Sequence, residues 1–140
     1  MDLRQAVRFV ARNRRAVMHT YRADGGPQLS PVLAGVDGEG RVIVSTRETT
    51  AKVANLRRRP EAALCVFTEA FFGEWVRVSG PVEIVSMPEA LEPLIDYYRR
   101  VAGEHPDWRE YAEAMERERR VLLRMTVTEA AGSIRPDGDA

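Results

Sequence analysis

Two glycine-rich turns in the first part of the chain, Asp24-Gly25-Gly26-Pro27 and Asp37-Gly38-Glu39-Gly40, constrain its fold more than any other feature. Each sits between stretches of strand character. A connection this short joins antiparallel neighbours, because parallel strands need a crossover of about a dozen residues or more. The flanking stretches are Ala16 to Arg22, where apolar and polar residues roughly alternate, then Gln28 to Val36, then the β-branched run Arg41-Val42-Ile43-Val44-Ser45-Thr46. Three antiparallel strands are therefore expected before residue 47.

A helix over residues 2–13 precedes them, with Asp2 and Gln5 spaced as a capping box and Leu3, Ala6, Val7 and Val10 at helical intervals. After the third strand, Thr49 to Pro60 reads as a short helix capped by a threonine and stopped by the proline. Strand character returns over Ala62 to Thr68 and Glu74 to Ser86, with Gly80-Pro81 marking a bend. Ser86-Met87-Pro88-Glu89 has the spacing of a second capping box, opening a helix that runs to about Ala102. Asp107 and Glu110 open a fourth helix, with Trp108, Tyr111, Ala112 and Met115 on one face. Val121 to Glu129 is the final strand. The segment from Gly132 to Ala140 is expected to fray, leaving one domain over residues 1–131. The order α-β-β-β-α-β-β-α-α-β makes a small antiparallel barrel with flanking helices; a doubly wound sheet would need strands and helices in alternation.

Several chemistries are excluded. A chain of 140 residues, 44% hydrophobic, can bury a core without disulfides or a structural metal. It has no apolar run near the ~18 residues of a membrane span and no signal-peptide core, so a cytoplasmic location is expected. The single cysteine, Cys65, lies in the apolar stretch Ala62 to Phe67 and is expected as a buried structural thiol. His19 and His105 are far apart and have no metal-ligand spacing, so no metal site is expected. His19 is expected to sit in a strand as a packed or hydrogen-bonded side chain, and His105 to cap a turn or be solvated there. No G-x-G-x-x-G, Walker A or G-x-S-x-G motif is present.

Charge is more informative. Of the 21 basic residues all but Lys52 are arginine, which codon usage alone could produce. Residues 1–60 hold 12 basic and 5 acidic groups, whereas residues 61–140 hold 9 and 16, so the balanced total hides a positive first segment. That suits an anionic small ligand, and the acidic remainder argues against a nucleic-acid surface. Lys52 falls in the first turn of a helix that follows a strand ending Ser45-Thr46-Arg47, with Asn55 and Arg57 close by in sequence. A helix N-terminus with hydroxyls and an ammonium is a favourable place for a phosphate. The plain alternative is a capped amphipathic helix with solvated arginines.

These residues carry a family resemblance. The hairpin Asp24 to Val32, the segment Ala51-Lys52-Val53-Ala54-Asn55-Leu56-Arg57-Arg58-Arg59-Pro60-Glu61-Ala62, Gly80, Gly103 to Trp108, and Arg119-Arg120-Val121-Leu122-Leu123 together resemble the pyridoxamine 5′-phosphate oxidase-like split-barrel flavoproteins. The likeness is to the actinobacterial branch that binds the deazaflavin coenzyme F420. It implies a homodimer of six-stranded antiparallel split β-barrels, mainly β with flanking helices, with cofactor sites at the subunit interface. It places Gln28, Ser30, Pro31 and Val32 beside the cofactor ring. Ser45, Thr46, Thr50, Lys52 and Asn55 fall at its phosphate-bearing side chain. Relatives often carry arginine where this chain has Thr50, a departure for which Arg47 or Arg57 can compensate. Trp75 is either a pocket wall or a core side chain.

The activity implied is an F420-dependent oxidoreductase passing a hydride to a small conjugated or heteroaromatic substrate. No catalytic acid or base is nominated, since the cofactor carries the chemistry. The alternatives are an FMN-dependent oxidase or reductase of the same fold, and a cofactor-binding or storage protein without turnover. Neither nucleic acid nor a membrane is expected as a partner.

Overall fold

A computed structural model describes residues 1–135. Helix α1 (Leu3–Asn13) is capped by Asp2, whose side chain accepts from the Arg4 N–H, and turns Ala6, Phe9 and Val10 inward. The buried stripe is thus centred on Phe9, and Leu3 is left exposed. Strands β1 (Arg15–Tyr21) and β2 (Pro27–Leu33) form the expected hairpin. Asp24 shapes its turn by accepting from the Gly26 N–H at 2.8 Å, and Gly25 takes the left-handed conformation there (φ 85°). The expected second strand is interrupted at Ala34, after which β3 (Gly35–Val36) pairs with β4 (Val42–Arg47). The chain thereby leaves one sheet and enters the other within three residues.

Helix α2 (Ala51–Arg58) leads to β5 (Glu61–Phe67) and the long β6 (Trp75–Val85). Helices α3 (Leu91–Ala102) and α4 (Trp108–Arg117) follow, then β7 (Arg120–Met125) and β8 (Glu129–Ser133). The final strand is therefore two strands. β7 pairs with β4 and the second half of β6, whereas β8 pairs with the first half of β6. β8 also extends two residues beyond the expected domain end at 131, because Gly132 and Ser133 pair with Val76 and Trp75. Of the segment expected to fray, residues 136–140 lie outside the described residues.

The strands form one antiparallel path, β2-β1-β5-β6-β7-β4-β3, with β8 on the flank of β6. β6 serves both halves, pairing with β5 as far as Pro81 and with β7 from Val82 onward. Gly80 sits at this passage, and a Cβ there would run into the Thr126 backbone carbonyl. Only glycine lets the two backbones approach so closely. The path ends at β2 and β3; β3 covers only Val42 and Ile43 of β4, and the rest of that edge approaches β2 without pairing, the split of the barrel.

Inside the barrel, Ala16, Met18, Leu64, Val66, Val76 and Val78 meet Val42, Val44, Val121, Leu123 and Met125, and α1 and α2 add Phe9, Val10, Val53 and Leu56. A second apolar cluster lies on the outer side of β4 and β7. Ile43 and Leu122 there are covered by Leu94 and Tyr97 of α3 and Tyr111 and Met115 of α4. The D-x-x-E start of α4 forms as expected, with Asp107 accepting from the Glu110 N–H. The Ser86 capping box does not: α3 begins at Leu91, its N-cap is Ala90, and no side chain caps it. Residues 87–90 are taken up instead by turns that bring Ala90 into the second cluster. Burying Ala90 and Leu94 together in that cluster is worth about 2–3 kcal/mol, more than a cap worth about 1 kcal/mol.

Cys65 is a further correction. It is exposed, because Ala62, Leu64 and Val66 occupy the inward positions of β5 and strand alternation turns the thiol outward. The apolar run has the composition of a strand covered on both faces, but the chain covers only one.

Candidate functional site

The site grows from the corner between β4 and α2. Alternation along β4 turns Thr46 inward, where it is buried, and leaves Ser45 on the other face under α3. Thr50 is the N-cap of α2, yet its side chain makes no cap bond. Its hydroxyl donates to the Arg47 carbonyl at 3.0 Å and lies 3.3 Å from the Thr46 hydroxyl. Lys52 Nζ is 3.5 Å from the same Thr46 oxygen. One proton per hydroxyl fixes the direction of this chain: Lys52 donates to Thr46, Thr46 to Thr50, and Thr50 to the backbone. The first N–H groups of α2 are left without a side-chain acceptor, and they carry the positive end of the helix dipole.

Lys52 is half-buried, and no carboxylate lies within ion-pair distance of it among the described residues. Burial, and then the nearby Arg120 guanidinium, hold its ammonium below the usual lysine range. An uncompensated cation beside free N–H groups is what an anion-binding corner requires.

The other expected site residues divide. Asn55 is buried and fully engaged: its Nδ2 donates to Thr20 Oγ1 at 3.1 Å and its Oδ1 accepts from Arg58 at 2.7 Å. It ties α2 to β1 instead of reaching outward. Gln28, opposite Thr20 in the hairpin, joins Arg22, Asp24, Ala51 and Asn55 around a cleft of about 350 Å³ beside the start of α2. Ser30 and Val32 share the inward face of β2 with Gln28, whereas Pro31 is exposed on the opposite face. Arg57 is exposed, and no hydrogen bond or ion pair engages its side chain among the described residues. Trp75 opens β6 opposite Phe67, at the far end of the sheet from Asn55, and is 40% exposed on the outer face. Within the chain, then, the structure gathers Gln28, Thr46, Thr50, Lys52 and Asn55, but not Pro31, Ser45 or Trp75.

Three residues near the corner carried no role in the sequence reading. Arg120, at the start of β7, donates to Glu118 at 2.9 Å. Tyr97 of α3 bridges the split, its hydroxyl donating to the Leu33 carbonyl at the end of β2 at 2.8 Å. Burial pushes the Tyr97 phenol above the ordinary tyrosine range, while the Ser45 backbone N–H facing it acts in the opposite direction. The Arg119-Arg120 pair was the only visible signal. His19 packs edge-on against Tyr21 at 4.7 Å between ring centroids, and His105 accepts from the Asp107 N–H; both are structural arrangements. No group of three His, Cys, Asp or Glu side chains is poised for a metal, and no helix is long and apolar enough to cross a membrane, among the described residues.

Known proteins place this geometry in context. The chain is similar to a conserved hypothetical protein from Mycobacterium tuberculosis, with 26% identity, a TM-score of 0.77, and coverage of 95% of this chain and 84% of that one. It is similar to a structure named F420 reductase at 22% identity, with a TM-score of 0.69 and coverage of 89% and 94%. A heme binding protein from Mycobacterium smegmatis shares the fold at 15% identity and a TM-score of 0.70, over 94% of this chain and 54% of that one. Residues 3–133 match the pyridoxamine 5′-phosphate oxidase family, and the chain belongs to it.

Proposed function

We propose that this chain is an oxidoreductase that binds the deazaflavin coenzyme F420 and passes a hydride between it and a small conjugated or heteroaromatic substrate. The observation that carries this reading is Lys52, a half-buried ammonium with no carboxylate partner among the described residues, set against two threonine hydroxyls and the uncapped start of α2. The donor set fits a phosphodiester. Thr46, Thr50 and Lys52 hold the phosphate-bearing side chain, and Gln28 and Ser30, on the inward face of β2, lie toward the ring. Bound deazaflavin supplies the hydride chemistry, while the protein's residues anchor the anion, orient the ring and exclude water. The likeness to a structure named F420 reductase supports the same reading.

The reading includes a homodimer. The outer face of the β2-β1-β5-β6 half exposes Leu29 (59%), Leu33 (49%) and Trp75 (40%), an apolar surface of the kind a second copy covers. Trp75 reaches a cofactor site only across such an interface.

Titration of the purified protein with F420 and with FMN tests the proposal. Micromolar FMN binding without F420 binding replaces it with the FMN-dependent reading, which family membership also supports. Tight F420 binding without reoxidation across a broad panel of acceptors makes the protein a carrier.

A further inference from the structure

We infer that the first two turns of α1 form one wall of a second binding site, which takes a small amphiphilic carboxylate: an apolar tail against Leu3, Val7 and Val127, and a charged head held by Arg4 and Arg8. The site shares no lining residue with the α2 corner or the cleft beside it, so it stands whichever cofactor that corner holds.

Helix α1 carries more apolar side chain than the core uses. Ala6, Phe9 and Val10 face the barrel, whereas Leu3 is exposed and Val7 is only partly buried beside that stripe. Both line a cleft of about 370 Å³ between the helix, the turn at residues 37–41 and the connection from β7 to β8. Val127 adds a further apolar wall, held in place by its packing against the barrel core. Gly40 takes the left-handed conformation at the rim (φ 80°) and brings no side chain into the opening. Small-molecule sites span about 300–1,000 Å³, so the cleft suits a small ligand. Arg4 and Arg8 line the same cleft, one helical turn apart and both exposed. Neither side chain makes a hydrogen bond or ion pair among the described residues. The carboxylates close by are committed elsewhere. Asp2 accepts from the Arg4 N–H as the helix cap, and Glu39 lies 2.7 Å from Arg41, which Asp37 also meets at 2.8 Å. Like charges at this spacing repel, and the positive end of the helix dipole opposes Arg4. The two arginines therefore cost stability in the free protein, and an anion between them relieves it. Paired guanidiniums beside an apolar cleft match a carboxylate that carries a tail. A bilayer matches less well, because Val7 and Val127 are recessed and a planar surface reaches only the rim.

Octanoate is the probe, with 1-octanol and acetate as its uncharged and tailless counterparts, titrated into the full chain by calorimetry at fixed ionic strength. ¹³C-methyl labelling of leucine and valine locates the response. Octanoate is expected to saturate one site and to shift the methyl signals of Leu3, Val7 and Val127, but not those of Leu29 and Leu33 on the outer sheet face. The double variant Arg4→Gln/Arg8→Gln is expected to weaken octanoate about tenfold or more, the scale of one charge-assisted hydrogen bond, and to leave octanol unchanged. It melts no lower than the wild type, whereas a structural pair of arginines would lose stability on removal. Leu3→Ser weakens octanoate and octanol alike. F420 binding, or its absence, is the same in the double variant as in the wild type, which keeps this site separate from the cofactor reading. Unchanged octanoate affinity in the folded double variant overturns the inference. So do methyl shifts confined to Leu29 and Leu33, and so does the lack of saturable octanoate binding. Sedimentation with phosphatidylglycerol vesicles in the absence of octanoate binding overturns it too, and makes α1 a membrane-surface helix instead.

Discussion

Replacing Lys52 with methionine separates stability from function, because the structure gives the two effects opposite signs. The side chain is half-buried, and among the described residues its only bond is a long one of 3.5 Å to Thr46 and no carboxylate offsets its charge. In the folded, ligand-free protein its pKa lies below the ordinary 10.5. A lysine that binds its proton less tightly when folded makes the folded state hold fewer protons than the unfolded one between its two pKa values. Stability therefore rises with pH through that window, and below it the charged Lys52 detracts from folding in full. Lys52→Met removes this handicap, so the variant melts at a temperature equal to or above the wild type at pH 7, and its stability loses that rise between the lowered value and 10.5. Binding moves the other way. Loss of a hydrogen bond to a charged group costs about 1.5–3 kcal/mol, so the F420 dissociation constant rises about ten- to a hundredfold. Calorimetric titration and thermal melts at several pH values on the same preparations measure both effects. A variant that melts well below the wild type and binds F420 unchanged refutes the argument, because Lys52 would then be a structural side chain with favourable surroundings.

Other substitutions probe the frame. Gly80→Ala is expected to destabilise by about 1–3 kcal/mol in denaturant unfolding, since the added methyl meets the Thr126 carbonyl where β6 changes sheets. Tyr97→Phe removes the donor that bridges the split and the partner of the part-buried Leu33 carbonyl; a loss of about 0.5–1.5 kcal/mol is expected, and a neutral effect would show that water replaces the hydroxyl. Leu33→Glu on the exposed outer face should shift the protein from dimer to monomer in light scattering and weaken F420 binding with it. A dimer that tolerates glutamate there moves the interface elsewhere.

Much of the fold was legible because its signals are local. The Asp24 and Asp37 turns place hairpins where they form, and Asp2 and Asp107 cap the helices they precede. Local signals fail where burial competes with them. Ser86 has the spacing of a cap, yet Ala90 and Leu94 are drawn into the second cluster and α3 starts later. Cys65 sits in a run whose composition suits burial, but only pairing shows that its side of the sheet is uncovered.

The candidate site divides the same way. Lys52, Thr46 and Thr50 are close in sequence, so a strand end, a turn and a helix start are enough to bring them together. Gln28 and Asn55 meet because both are neighbours of Thr20 on β1.

What the sequence by itself determined was the order of elements, their short antiparallel connections and the cationic helix start, all consequences of dihedral preference and capping between near neighbours. What only the tertiary structure decided was which face each strand residue presents, where β6 passes between sheets, and which distant charges surround Lys52. Strand register reverses a side chain's direction with each residue, and the pairings that set it join segments far apart in the chain.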